Sequence, residues 1–198
     1  MGYTYRAARV SEPRWEEIEA VTLHHQPWLA PCGVSAQAKL CHDGEKLYVR
    51  MEAKEENIRA TLTGALDQVC NDSCLEFFLA PKADDKRYFN FEVNPLGNAY
   101  VGFGAERKTR VRQILKNPQA TLEIKPFAVQ DGWGVEYVIP AEYIRLYMPD
   151  FAFSGEAACN FYKCGDETET PHYLAWAPLT SEKPDYHRRW DFGALVFE

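Results

Sequence analysis

The sequence predicts an all-β protein: an antiparallel β-sandwich of the jelly-roll or immunoglobulin type, with one or two short helical turns. Three observations favour this class. Polar and apolar residues alternate along segments such as 46–53 and 88–94, and a period of two is typical of strands that have one buried face. Short segments of this kind recur along the chain, separated by turns of Gly, Pro and Asp. Helical periodicity is weak throughout.

The predicted strands follow one another at irregular intervals. They are expected at 46–53, 71–79, 88–94, 99–103, 120–127, 133–140, 157–164, 173–177 and 194–197. Between two of them, Asn94-Pro95-Leu96-Gly97 fits a type I turn. A short helical turn is predicted over 141–147, after Pro140, and a weaker one over 14–20. The core is expected to contain Leu47, Val49, Phe77, Phe89, Phe91, Val93, Val135, Tyr137 and Ile139.

Length and composition favour one soluble domain over residues 1–198. A chain of this length can bury a single core, and no linker or repeat interrupts it. The net charge of −7 opposes nucleic-acid binding. No apolar run approaches the roughly 20 residues of a membrane span, and residues 1–10 lack the apolar core of a signal peptide. A cytoplasmic location is expected, and secretion of a form trimmed of its signal is left open.

The cysteines are expected to be reduced and free of metal. They lie at positions 32, 41, 70, 74, 159 and 164, without the two-residue spacing of a zinc knuckle. A domain of this size does not need disulfides, and the five histidines show no metal-binding spacing. No cofactor is therefore expected. Calcium binding by the acidic loops 84–85 and 166–167 is left open, although neither has the ligand spacing of a dedicated calcium loop.

Two predicted strands place polar side chains on one face of a sheet. Alternation along 88–94 puts Asn90, Glu92 and Asn94 on the same side. The preceding predicted strand is apolar over almost its whole length except for Glu76. If the two strands pair as an antiparallel hairpin, Glu76 points to the same side as Glu92. A cluster of carboxylates and amides suits sugar hydroxyls, which both donate and accept hydrogen bonds.

Several motifs resemble the family 9 carbohydrate-binding modules. They are Asp72-Ser73-x-x-Glu76-Phe77-Phe78, Gly132-Trp133-x-x-Glu136-x-x-Ile139-Pro140 and Phe192-Gly193-x-Leu195. Segments 160–166, 171–176 and 184–188 look like a family-9-like branch of stand-alone or appended domains in bacteria that use plant polysaccharides. Their order and spacing agree with the family across almost the whole chain. The resemblance implies a jelly-roll sandwich without a catalytic centre, which binds a mono- or oligosaccharide through aromatic stacking and hydrogen bonds.

The resemblance also implies a set of sugar-binding residues. These are Glu76, Glu92, Asn94, Asn160, Tyr162 and Tyr186, and Trp176 joins the implied set as a candidate replacement for a stacking ring. Tyr186 occupies the position of the family's second stacking aromatic, and a phenol ring can stack on a pyranose. Val69 stands where the family has its first stacking Trp. Either Trp28, Trp176 or Trp190 replaces that wall, or the ligand differs, or binding has weakened or been lost. A plain core position also suits Trp176.

Three other interpretations are left open by the residues. Glu76 and Glu92 would serve as acid and base in a glycosidase, although nothing independent indicates a deep cleft. A haem-binding module of a related sandwich superfamily would use Met51 and His172, but Met51 alternates with core residues. A purely structural role would pair the two carboxylates with Arg50 or with backbone donors. Non-catalytic carbohydrate binding is the leading hypothesis.

Overall fold

The computed structural model describes residues 2–198, which form strands joined by turns, with two short α-helices. The helices are α1 Pro118–Thr121 and α2 Ala141–Arg145. The strands are β1 Thr4–Arg9, β2 Val21–Leu23, β3 Ser35–His42, β4 Lys46–Lys54, β5 Cys74–Ala80, β6 Tyr88–Val93, β7 Ala99–Gly104, β8 Val111–Gln113, β9 Lys125–Val129, β10 Gly132–Pro140, β11 Gly155–Gly165, β12 His172–Ala175 and β13 Gly193–Phe197. No helix within 2–198 is both long and apolar enough to cross a membrane.

The strands form two sheets that share strand β1. The larger sheet has the order β8-β7-β6-β5-β11-β13-β1, and β12 also pairs with β11. The smaller sheet has the order β1-β3-β4-β10-β9, and β2 also pairs with β3. Residues 4–7 of β1 pair in parallel with β13, and residues 8–9 pair in parallel with β3. The remaining strand pairs are antiparallel, which confirms the predicted sandwich and adds two parallel pairings to it.

The main core lies between the two sheets. Strand β4 shows the alternation directly, since Leu47, Val49 and Met51 are fully buried while the residues between them are partly exposed. From the larger sheet, Phe77 and Phe161 stack at 5.1 Å in the same core. All nine predicted core residues belong to this cluster. Because Met51 is sealed in it, that side chain is not available as a haem ligand.

The outer face of the larger sheet is also buried, under loops. All seven residues of β5 are buried, so both faces of this strand are covered. The covering side chains come from loops before β3, before β5 and before β13, and they pack on Phe78 and Tyr88. These covering side chains include Trp28, Val69, Tyr186 and Phe192. The loops therefore form a third layer, and the polar residues of β5 and β6 lie beneath it.

Element boundaries agree with the sequence except in a few segments. The predicted strand at 120–127 is wrong in its first part, because Asn117 caps α1 by accepting a hydrogen bond from the backbone N–H of Ala120. Residues 14–20 form turns without a helix, whereas the short helix after Pro140 is confirmed as α2. Strands β1, β2, β3 and β8 were not predicted. The type I turn is confirmed, since the N–H of Gly97 donates to the carbonyl of Asn94 at 2.9 Å.

Candidate functional site

Two glutamates lie side by side beneath the loop layer. Glu76 on β5 is the direct cross-strand partner of Glu92 on β6, and both are buried, with 3% and 6% exposure. The predicted hairpin and the predicted common face of the two carboxylates are therefore confirmed. Alternation explains their placement, since Phe77 and Phe91 point from the same two strands into the main core.

Each carboxylate has few protein partners. The thiol of Cys164 donates to Glu76 Oε1 at 2.9 Å, and Asn90 Nδ2 donates to Glu92 Oε1 at 2.7 Å. Within residues 2–198 neither carboxylate forms another side-chain hydrogen bond or an ion pair. Arg50, expected as a partner in the structural interpretation, binds Glu52 and Glu136 on the smaller sheet instead. That structural interpretation is therefore wrong about Arg50.

Burial and mutual repulsion disfavour the ionised forms of this pair. Burial, with repulsion from Glu92, raises the pKa of Glu76 well above its usual value, although the Cys164 hydrogen bond opposes this shift. Burial also raises the pKa of Glu92 to about 7, against the lowering effects of Asn90 and Arg110. Both shifts favour the protonated carboxyl, which can donate as well as accept hydrogen bonds.

The two carboxylates line a pocket of about 190 Å³ that opens to solvent. Loops from five parts of the chain surround it, and its other lining side chains are mostly aromatic or charged. The aromatic and imidazole rings are Trp28, Tyr100, Tyr173, Tyr186 and His187, and the charged side chains are Arg107, Arg110, Asp166 and Asp185. Cys70 and Cys164 also line it. Rings beside hydrogen-bonding groups are the usual composition of a small-molecule site.

Three rings form one wall of this pocket. The Trp28 indole lies 5.5 Å from Tyr186 and 5.6 Å from Tyr173, and its Nε1 donates to the Ser181 carbonyl at 2.8 Å. Trp28 is partly exposed. Tyr186 stacks on Tyr162 at 4.0 Å with an angle of 9° between the rings, so one of its faces is already covered. Trp28 therefore presents partly exposed ring surface to the pocket, whereas Tyr186 has one face covered.

Arg110 lines the pocket beside the two carboxylates and contacts Asn90 and Tyr88 of strand β6. Its guanidinium donates to Asn90 Oδ1 and to the hydroxyl of Tyr88, and it lies 4.8 Å from the centre of the Tyr88 ring. His187 Nδ1 lies 3.0 Å from the same hydroxyl. Burial, reinforced by the nearby Arg110, lowers the pKa of His187 to about 2. The imidazole is therefore neutral at physiological pH.

The pocket contains some of the residues that the resemblance implied. Glu76, Glu92 and Tyr186 line it. Tyr162 lies directly under the ring of Tyr186 and is fully buried. These four residues lie together.

The structure does not bring the other three implied residues to the pocket. Asn94 donates to the carboxylate of Asp72 at 2.9 Å and holds the neighbouring loop. The Asn160 side chain exchanges hydrogen bonds with the backbone of Ala177 at 2.9 and 3.1 Å. Trp176 packs against Phe161 in the main core, 5.7 Å between ring centres, as its alternative core interpretation expected.

Trp28 is one of the three tryptophans that sequence analysis offered in place of Val69. Val69 is fully buried within the loop layer, so it offers no surface to a ligand. Trp190 is 74% exposed and does not line the pocket. The pocket thus has an indole wall that comes from a distant part of the chain.

Four lining residues of the pocket were not identified from the sequence, namely Tyr100, Arg107, Arg110 and Tyr173. Arg107 and Arg110 follow β7, in a run of basic residues that alternation along strands cannot orient. Tyr100 and Tyr173 carry no local signal beyond their aromatic character.

A sandwich whose larger sheet carries a pocket of aromatic rings and carboxylates has the architecture of a non-catalytic carbohydrate-binding domain. The sequence profile of carbohydrate-binding family 9 matches residues 10–197, and the chain belongs to that family. The resemblance drawn from the sequence motifs is thereby confirmed, and with it the predicted class of non-catalytic carbohydrate-binding domain. The glycosidase and haem interpretations gain no support. No curated protein sequence matches the chain.

Solved structures have the same fold. A candidate carbohydrate-binding protein from Bacteroides uniformis ATCC 8492 is 27% identical, with a TM-score of 0.87 and 100% of both chains covered. A family 9 module from Caldicellulosiruptor kristjanssonii in complex with cellotriose is 12% identical, with a TM-score of 0.67 and coverage of 99% of this chain and 94% of that one. The complex of such a module from the same organism with glucose is 13% identical, with a TM-score of 0.67 and coverage of 99% and 96%.

Proposed function

We propose that this protein binds a mono- or oligosaccharide, without catalysis, in the pocket above Glu76 and Glu92. The observation that carries this proposal is a pair of buried carboxylates that open into an aromatic-walled pocket and have one protein hydrogen bond each. A carboxylate has two oxygens, with about four acceptor positions between them. Here the remaining acceptor positions are available to a ligand rich in hydroxyl groups.

The wall and the floor have complementary roles in this proposal. The partly exposed Trp28 indole offers a flat apolar surface to the C–H face of a sugar ring. Glu76 and Glu92 accept hydrogen bonds from its hydroxyl groups, while Arg107 and Arg110 donate to its oxygens. At about 190 Å³ the pocket is smaller than a typical drug-sized site of roughly 300–1,000 Å³, so it suits one ring better than a chain.

Family membership supports a binding role for the two carboxylates, since the family is one of carbohydrate-binding domains. Glu76 and Glu92 lie on adjacent strands, as direct cross-strand partners on one floor. A sugar above them would meet both groups from the same side. We therefore assign them a binding role.

The first prediction tests this assignment by calorimetric titration with glucose and cellotriose, the ligands of the Caldicellulosiruptor complexes. Glu92→Gln is expected to weaken binding about 5- to 150-fold, since a lost ligand hydrogen bond costs about 1 to 3 kcal/mol. Trp28→Ala is expected to weaken binding by a similar factor because it removes the stacking wall.

Two matched variants serve as controls. Glu142→Gln changes an exposed carboxylate on α2, and Trp190→Ala removes an exposed indole outside the pocket. Both are expected to bind like the wild type. If Glu92→Gln and Trp28→Ala also bind like the wild type, the sugar lies elsewhere. If the wild type binds neither ligand nor any glycan of a broad array, carbohydrate binding is ruled out.

A further inference from the structure

We propose that Cys74, Glu76 and Cys164 form a binding site for a thiophilic divalent cation, with Zn²⁺ as the best match, at the floor of the pocket. This site goes beyond sugar recognition and does not depend on it. The proposal stands on the geometry of these three side chains, on their burial and on their access to solvent.

The strand register brings the three donors together. Cys74 and Cys164 are direct cross-strand partners on β5 and β11. Glu76 follows Cys74 by two residues, so alternation places its side chain on the same face. The two sulfurs and a carboxylate oxygen all lie within 4.8 Å of one another, with Cys164 Sγ 2.9 Å from Glu76 Oε1. Donors around a tetrahedral zinc ion lie about 3.5 to 3.8 Å apart, so small side-chain adjustments suffice.

The donor set suits a soft cation better than calcium or magnesium. Two thiolates and one carboxylate are ligands that zinc accepts, whereas the hard cations prefer oxygen alone. Binding would release to solvent the two thiol protons, including the one that Cys164 now donates to Glu76, together with any proton on the Glu76 carboxyl. The three ligands would then carry three negative charges against two on the ion. Arg107 and Arg110 line the same pocket and offset the excess.

The site has an entry path and room for a fourth ligand. All three side chains are buried, yet Glu76 and Cys164 line the solvent-open pocket. A water molecule can therefore complete the coordination from the pocket side. Sequence spacing could not reveal this arrangement, because zinc-knuckle patterns describe cysteines within one loop. Here the two cysteines come from separate strands.

The test is zinc binding by the reduced full-length protein without any sugar. A titration against a chromophoric chelator is expected to give one Zn²⁺ per chain, with a dissociation constant tighter than about 1 μM. Co²⁺ is expected to give the near-ultraviolet charge-transfer absorption of cobalt–thiolate bonds. Cys74→Ala and Cys164→Ala are each expected to weaken zinc binding at least 100-fold, since even outer-shell changes cost about 10- to 100-fold.

Cys159→Ala is the matched control, because Cys159 is equally buried on β11 but points into the main core. It is expected to bind zinc like the wild type. Glu76→Gln keeps both thiols and is expected to weaken zinc binding while retaining the thiolate absorption with Co²⁺. Absence of stoichiometric zinc in the reduced wild type would overturn the proposal whether or not the variants fold. So would unchanged affinity in folded Cys74→Ala and Cys164→Ala. Neither outcome bears on sugar binding, which is measured separately.

Discussion

At the scale of single residues, a buried charged group requires a full set of hydrogen-bond partners. The ammonium group of Lys163 is fully buried and donates to Glu55 at 3.2 Å, to the Cys164 carbonyl at 2.8 Å and to His172 Nε2 at 2.6 Å. All three of its protons are thus used. His172 Nδ1 in turn donates to the Thr170 carbonyl at 2.9 Å. His172 is the other residue of the haem interpretation, and hydrogen bonds of this network occupy both of its ring nitrogens.

The second prediction concerns Lys163. Lys163→Met removes the cation and leaves the buried carboxylate of Glu55 without its ion-pair partner, although Trp133 Nε1 still donates to it. This change is expected to lower the free energy of unfolding by about 3 to 5 kcal/mol. Urea denaturation measures this change. Lys54→Met, at the exposed end of β4, is expected to stay within about 0.5 kcal/mol of the wild type. A loss below about 1 kcal/mol in Lys163→Met would contradict the importance of this network.

The third prediction concerns acid stability and His187. Its folded-state pKa is lowered to about 2 by burial and by Arg110, whereas an unfolded histidine titrates near 6.5. Protonation therefore favours the unfolded chain. The contribution of His187 to stability is fully present above pH 6.5 and is lost as the pH falls below that value, by up to about 1.4 kcal/mol per pH unit.

Urea denaturation between pH 6.5 and 5 measures this loss. His187→Gln is expected to make the fall in stability less steep, because glutamine does not titrate. His24→Gln, an exposed histidine, is expected to leave the slope unchanged. An identical slope in His187→Gln and the wild type would show that His187 does not titrate as proposed.

At the scale of elements, turn chemistry sets the register of the site. The turn after β6 is held by Asn94, whose side-chain oxygen accepts from the N–H groups of Leu96 and Asn98 at 3.1 and 2.9 Å. Gly97 closes the turn with φ of +75°, in the left-handed region. This hairpin aligns β7 with β6, and it sets Tyr100 opposite Glu92.

The fourth prediction concerns this glycine. Gly97→Ala is expected to lower the free energy of unfolding by about 1 to 2 kcal/mol, because a side chain in the left-handed region is strained and its Cβ would lie 3.0 Å from Pro126. Thermal or urea unfolding measures the change. Gly33→Ala is the control, since no heavy atom lies within 4 Å of the methyl group that alanine would add and its φ is not positive. Equal stability of the two variants would contradict the turn assignment.

At the scale of the whole molecule, strand β1 and the shared core tie the two sheets together. Residues 4–7 extend the larger sheet, and residues 8–9 extend the smaller one. Side chains from both sheets meet in one main core, so the inner face of each sheet is buried by the other. We therefore propose that the chain folds as one unit, in agreement with the single domain expected from its length.

The fifth prediction follows from this shared core. Unfolding in urea is expected to be a single cooperative transition, with tryptophan fluorescence and far-ultraviolet circular dichroism giving the same midpoint. Trp133 in the main core and Trp28 in the loop layer report on different layers of the molecule. Two separate midpoints would mean that the loop layer, or one sheet, unfolds independently.

The sequence by itself determined which side chains share a sheet face. Alternation is local, and a period of two needs no knowledge of distant neighbours. It therefore identified the core positions and the common face of Glu76 and Glu92. The hairpin turn at 94–97 was identified by its Asn, Pro and Gly residues. Alternation failed where a short local signal competed, as at 120–127, where the Asn117 cap produced a helix. The family motifs predicted the jelly-roll architecture, which alternation alone could not predict.

Only the tertiary structure decided what covers that face. Trp28 and Arg110 reach the pocket through loops, and no periodic pattern orients a loop side chain. The same limit explains why the sequence could not show that Asn94, Asn160 and Trp176 lie outside the pocket. A shared strand or motif does not determine which layer covers a residue. The pairing of β5 with β11 places Cys74 opposite Cys164 although 89 residues separate them. Such contacts arise from the free energy of burying the whole sheet, which local sequence does not encode.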